Sequence, residues 1–244
     1  MILEAKGLQK RYLAPVLVDV SFGVRPGESV ALVGANGAGK STLIKILLGL
    51  ARADAGEVRL FESAPSDEIL REKVGYLPEL PGFWGELSAV DFLDFMGRLR
   101  GIPARTRAER SAKLLDALGL KERGARPMAG YSKGMLQRTG IAQALLHDPK
   151  LLVLDEPMSG LDPRAQEKLR QILLKLRERG VSLLISSHAL DDIRSLTDRT
   201  LVLEKGRLLH DGPTKEVLDV LVEKYRSSEP WDEDPMGAGT GVEW

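Results

Sequence analysis

Eight consecutive residues, Gly34-Ala35-Asn36-Gly37-Ala38-Gly39-Lys40-Ser41, follow the pattern G-x-x-x-x-G-K-[ST]. A tight loop without side-chain bulk aims successive backbone N–H groups at phosphate oxygens. A helix that starts where the loop ends adds the positive end of its dipole. Lys40 supplies a full charge for β- and γ-phosphates, and Ser41 a hydroxyl for Mg2+. With Thr42 beside them, Gly34, Asn36, Gly37, Ala38, Gly39, Lys40 and Ser41 form the candidate nucleotide-binding set. Phosphoryl transfer needs two further groups, a second Mg2+ anchor and one that positions the nucleophile. The segment Leu151-Leu152-Val153-Leu154-Asp155-Glu156-Pro157 offers both. A carboxylate ending a buried strand stands beside the phosphate loop in an open α/β sheet. Asp155 is expected to hold Mg2+ through water, and Glu156, one residue on, to polarise the attacking water.

These residues require particular elements around them. Ser29–Val33 reads as a buried strand that ends at Gly34, and residues 40–50 read as a helix closed near Gly49. Residues 2–24 carry short β-like runs, and Glu57–Phe61 and Val74–Leu77 are further short strands. Between Leu87 and His147 strand signals cease. Helical segments are expected near Ala89–Leu99 with Ser88 as N-cap, near Ala108–Leu118, and near Lys133–Leu146. Leu151–Leu154 and Val181–Ser187 are continuous apolar runs suited to strands buried on both faces. Between them Asp162-Pro163 caps a helix that stops at Gly180. Thr200–Leu203 and Arg207–His210 form a hairpin around Lys205-Gly206, and a last helix spans about Pro213–Tyr225. Strands alternate with helices, which favours a mostly parallel, helix-covered sheet carrying a helical insertion.

Several further motifs stand in order along the same chain. Tyr131-Ser132-Lys133-Gly134-Met135 is followed by Leu136-Gln137-Arg138, Ser159-Gly160-Leu161-Asp162 follows the acidic pair, and His188 follows the strand ending in Ser186-Ser187. Together with the phosphate loop they resemble the ABC-type ATPases, the nucleotide-binding subunits of ATP-binding-cassette transporters, over roughly residues 1–225. The resemblance implies an α/β P-loop NTPase fold: a RecA-like, mostly parallel core, an N-terminal antiparallel β subdomain and an inserted α-helical subdomain. It implies a domain of residues 1–226, with 1–86 and 148–226 as ATP-binding core and 87–147 as the helical part.

The resemblance also assigns roles. Ser132 and Gly134 match the signature turn that grips the γ-phosphate of ATP held by a second copy. Lys133 and Met135 stand where the family usually has glycine and glutamine. Asp162 lies at the boundary between copies. His188 matches a switch histidine that hydrogen-bonds the γ-phosphate and the attacking water. Tyr12 stands where an aromatic ring lies under adenine. Glu79, in Leu77-Pro78-Glu79, replaces a customary glutamine and can still ligate Mg2+ through oxygen. The implied ligands are ATP and Mg2+. The implied partners are a second copy, arranged head to tail, and a separate membrane permease, met through Phe83 and Trp84 unless those rings only close the helical core. The variants at Glu79, Lys133 and Met135 resemble export systems. A peripheral site on the cytoplasmic face of the cell membrane follows.

Composition narrows the alternatives. The chain has no cysteine, which excludes a disulfide scaffold, a thiolate metal site and a cysteine nucleophile. No apolar run approaches about 18 residues, so no transmembrane helix is expected. Lys and Arg together number 35, as do Asp and Glu, which leaves little footprint for nucleic acid. This weighs against a soluble, non-transport ATPase of translation or DNA maintenance, the alternative within the same fold. Ser227 to Trp244 contains five acids and no Lys or Arg, leaving +5 on residues 1–226. That stretch, with Trp231 and Trp244, is expected to be a mobile acidic tail.

Overall fold

The computed structural model describes residues 1–65, 67 and 72–227. The chain opens with β1 (Leu3–Arg11) and β2 (Pro15–Val24), an antiparallel pair. After the turn at Pro26-Gly27, β3 (Ser29–Val33), buried at every position, leads into α1 (Lys40–Leu47). The next strand, β4 (Ala55–Leu60), pairs with the free side of β1, giving a three-stranded antiparallel sheet of order β2-β1-β4. β5 (Val74–Leu77) then begins the main sheet.

The helical segment follows. Ser88 caps α2 (Ala89–Leu99) in a capping box, its Oγ accepting from the Asp91 N–H while Asp91 reaches back to the Ser88 N–H. The following helix, α3, spans Ala104–Ala117. Periodicity places its start at Ala108, four residues late. Pro103 holds φ at −56° just before it, and the first turn, Ala-Arg-Thr-Arg, carries no apolar stripe to mark it. A short 3₁₀ turn (Met128–Gly130) precedes α4 (Lys133–Leu145), capped by Ser132.

β6 (Leu151–Asp155) is wholly buried, and α5 (Pro163–Glu178) starts on the Asp162 cap with proline at its first position. β7 (Ser182–Ser186) is again wholly buried. α6 (Leu190–Leu196) is an element the sequence pattern does not announce, since two turns are too short for a stripe. It is held by packing of Ile193 and Leu196 and by Asp192, whose Oδ1 accepts from Arg170 at 2.6 Å. The hairpin of β8 (Arg199–Glu204) and β9 (Arg207–Pro213) turns at Lys205-Gly206, and α7 (Thr214–Ser227) closes the described chain. Ser227 therefore belongs to that helix. The rest of the expected acidic tail, 228–244, lies outside the described residues.

The main sheet has the order β5-β6-β7-β3-β8-β9, parallel from β5 through β8, with β9 antiparallel at the edge. Both faces are covered. On one, Leu93, Leu115 and Ile141 of the helical segment share a buried cluster with Leu154, Leu183 and Ile185 of the sheet. Between the two sheets, Leu3, Leu8 and Val20 meet Leu43, Ile44 and Leu47 of α1. Ile193, Leu218 and Leu221 cover Ala31 and Val202. Register then decides where chemistry can occur. Asp155 lies opposite Ser186, and Ser186 opposite Leu32, so β3, β6 and β7 end together at one edge of the sheet.

Candidate nucleotide site

The segment between β3 and α1 turns at Gly37 (φ +79°) and Gly39 (φ +107°), both in the left-handed region that favours glycine. At Gly39 a Cβ would also lie 2.8 Å from the Val16 carbonyl oxygen. The loop is fastened from below: Gly206 N–H, in the β8–β9 turn, donates to Ala38 O at 3.1 Å. Lys40, 8% exposed, curls over the loop and donates from Nζ to Gly34 O at 2.6 Å and to Ala35 O at 3.3 Å. A cation spanning its own loop in this way is set to exchange those carbonyls for anionic oxygens.

Beyond the loop lies a cavity of about 920 Å3. Gly34, Asn36, Gly37, Gly39, Lys40, Ser41 and Thr42 form one wall. Glu79, Asp155, Glu156, Ser159 and His188 form the other. Each of these acids comes from the end of a strand: Asp155 ends β6, Glu156 follows it, and Glu79 lies two residues beyond β5. Asp155, 2% exposed, accepts from Ser186 Oγ at 2.5 Å. The same hydroxyl oxygen accepts from the Glu156 N–H at 2.9 Å. Glu156 is left-handed at φ +50°, and its Oε2 lies 2.9 Å from His188 Nδ1. Burial, together with the negative charge of Asp155, pushes the half-buried Tyr76 phenol up to about 12.

The donors suit Mg2+. Ser41, Glu79 and Asp155 present hard oxygen ligands to one cavity, and the imidazole is taken up by Glu156. Among the described residues no group of three or more His, Asp or Glu side chains could hold a metal ion by itself.

Five of the expected site residues do not line this cavity. Ala38 is buried in the loop. Tyr12, on the β1–β2 turn, is 61% exposed, with Lys10 Nζ 5.2 Å from its ring centroid. Ser132 is exposed at the start of α4, its Oγ accepting from the Met135 N–H at 3.3 Å. Gly134 follows it on the same turn. Asp162 caps α5, accepting from the Ala165 N–H at 3.0 Å. Phe83 and Trp84 differ in exposure. Phe83 packs edge-on to Phe92, ring centroids 5.0 Å apart, against the helical core. Trp84 meets Phe95 at 5.5 Å yet stays 55% exposed. Two residues with no role in the sequence reading, Ser186 and Gln137, hold the Glu156 main chain. Ser186 becomes visible only once β6 and β7 are in register.

Phosphate loop, strand-end acids and parallel sheet together define a P-loop nucleotide-binding domain. Among known proteins, the ABC transporter family matches residues 17–159. The chain is 44% identical to an uncharacterised ABC transporter ATP-binding protein of Synechocystis over 83% of its length, spanning 58% of that protein. It is 38% identical to a bacitracin transport ATP-binding protein of Enterococcus faecalis (86% of this chain, 68% of that one). It is 35% identical to a Nod factor export ATP-binding protein of Ralstonia nicotianae (89% and 68%). Among solved structures, an ATP-binding subunit of an ABC transporter superposes with TM-score 0.83 at 33% identity, covering 91% of this chain and 94% of that one. A dimeric ATP-binding cassette in a post-hydrolysis state, bound to ADP and Pi, gives 0.80 at 26% identity (87% and 98%). The chain spans 58% and 61% of the lengths of the Synechocystis and Nostoc relatives. It belongs to the ABC transporter family, among its ATP-binding subunits.

Proposed function

We propose that two copies of this chain close head to tail around two ATP molecules, hydrolyse them, and so drive a separate membrane permease that exports its cargo. The observation that carries this reading is a separation. One cavity gathers the phosphate loop, Glu79, Asp155, Glu156 and His188, while the exposed Ser132 turn lies outside it. A hydroxyl and bare amides at a helix start suit an anion, and a second copy's nucleotide supplies one. Ser132 Oγ accepts from Met135, which leaves its proton free to donate.

Within each site the loop amides and Lys40 hold the phosphates, and Ser41, Asp155 and Glu79 are the residues that would hold Mg2+. The ion neutralises phosphate charge when bound. Glu156 orients and deprotonates the attacking water, and His188, paired with its carboxylate, steadies that group and reaches the γ-phosphate. Tyr12, exposed on the β1–β2 turn, offers its ring to adenine. Contacts available only to a γ-phosphate favour the closed dimer, so hydrolysis reopens it. Residues 1–86 and 148–226 act as the ATP-binding core and 87–147 as the helical subdomain, and the exposed Trp84, just before that subdomain, is the aromatic anchor for the permease. The chain is seated peripherally on the permease at the cytoplasmic face; among the described residues no helix is long and apolar enough to cross a membrane. The Nod factor export relative supports the direction.

The test is a pair of substitutions. Glu156→Gln is expected to retain ATP, lose about 10²–10⁴-fold in hydrolysis, and elute as an ATP-dependent dimer. Lys40→Ala is expected to lose nucleotide binding. A Glu156→Gln chain that stays monomeric with ATP and turns over at the wild-type rate overturns the proposal.

A further inference from the structure

The cavity explains the Glu156 side chain but not its main chain. A φ of +50° at a residue with a side chain is strained and persists only when neighbours enforce it. Ser186 does so from β7. From the opposite direction comes Gln137, 1% exposed, on α4. Its Nε2 donates to Glu156 O and to Pro157 O, each at 3.2 Å. The same end of α4 meets this segment twice more. Lys133 Nζ donates to Ser159 Oγ at 3.2 Å. The backbone at Gly134 comes so close that a Cβ there would lie 2.6 Å from Gly160 O. Ser159 itself lines the cavity beside Glu156. The stretch from Glu156 to Gly160 is thus fastened to the helix turn that carries Ser132.

We propose that Gln137 is a positioning residue that fixes the Glu156 main chain and ties it to the Ser132 turn of the same chain. This rests on the two-copy reading above. In that arrangement Ser132 serves one nucleotide and Glu156 the other. Engagement of Ser132 by a phosphate then steadies the water-activating carboxylate at the second site, through an amide shared between α4 and the Glu156 peptide. Gln137 is the dominant link because it is buried and donates twice, whereas Lys133 makes one solvent-exposed bond.

The experiment uses the full chain with Gln137→Met, which keeps side-chain length but cannot donate. ATP affinity is read by calorimetry and hydrolysis by phosphate release. The expected result is a kcat lowered about 10-fold or more with KM for ATP within about twofold, the pattern of lost orientation rather than lost binding. The same substitution in a Glu156→Gln background is expected to change the residual rate less than about twofold, because Gln137 acts through Glu156. Should Gln137→Met fail to fold, Gln137→Leu, which also lacks a donor, carries the same expectation. A folded variant with wild-type kcat, or an equal loss in both backgrounds, overturns the inference and leaves the proposed function standing. A wild-type chain that neither binds nor hydrolyses ATP overturns both.

Discussion

Ser186→Ala is the perturbation whose cost follows most directly from the geometry. Its hydroxyl, 0% exposed, donates to Asp155 Oδ1 at 2.5 Å and accepts from the Glu156 N–H at 2.9 Å. A hydrogen bond to a charged group contributes about 1.5–3 kcal/mol net, and a neutral one about 0.5–1.5. The Glu156 N–H keeps a second acceptor, Ser186 O at 3.2 Å, so the smaller figure is only partly lost. Asp155, 2% exposed, has little water to replace the donor. The sum is about 2–4 kcal/mol. At about 2–4 °C per kcal/mol for a chain of this size, the melting temperature should fall by roughly 5–15 °C. Thermal unfolding followed by circular dichroism, without nucleotide, measures this. Ser187→Ala serves as the comparison, because Ser187 Oγ accepts a single bond, from the Ala189 N–H at 3.1 Å, and its loss should cost under about 1.5 kcal/mol. Equal melting temperatures for Ser186→Ala and wild type would show that the strand-end network adds nothing to stability, and would refute the reasoning that it pre-forms the site.

Two other measurements probe different parts of the chain. Burial pushes the His147 imidazole down to about 4, and the positive charge of Arg100 adds to this; Nε2 donates to Val74 O at 3.1 Å and Nδ1 has no partner. The folded chain therefore binds this proton more weakly than the unfolded chain, whose histidine titrates near 6.5. Stability from this group is complete above about pH 6.5 and declines as pH falls toward about 4, by at most about 3 kcal/mol. His147→Asn should flatten the pH dependence of the urea midpoint between pH 7 and pH 5, and an unchanged slope would contradict the assignment. Tyr12→Ala should weaken ATP binding about 2- to 12-fold while Tyr12→Phe leaves it unchanged, since a stacked ring contributes about 0.5–1.5 kcal/mol; calorimetry showing no loss for the alanine would remove Tyr12 from the site.

What was legible in the sequence follows from how far apart the cooperating residues lie along the chain. The phosphate loop is contiguous, and its chemistry, glycines at left-handed positions followed by Lys40 at a helix start, is stated by eight adjacent residues. The apolar runs at Ser29–Val33, Leu151–Leu154 and Val181–Ser187 read as buried strands, the last two because they lack alternation, and the interleaving of strands with helices announced a parallel sheet. Elements defined by polar turns were harder to see: the first turn of α3 is arginine-rich, and α6 owes its place to the Arg170–Asp192 contact across 22 positions. Hardest were residues whose function depends on register. Ser186 and Asp155 are 31 positions apart, and Gln137 and Glu156 are 19 apart.

The same logic separates two kinds of motif that look alike on paper. Phosphate loop, acids and histidine belong together because β3, β6 and β7 end at one edge, so parallel register alone delivers them to one cavity. The Ser132 turn starts a helix in the inserted segment, and no strand end carries it to that edge. Its chemistry, a capped helix start with a free hydroxyl proton, is complete without a local ligand. Its packing joins it to the Glu156 segment from behind, through Gln137 and the close approach at Gly134. The two-copy arrangement proposed above would account for a capped helix start that stands outside its own chain's phosphate cavity yet is fastened to the Glu156 segment lining that cavity.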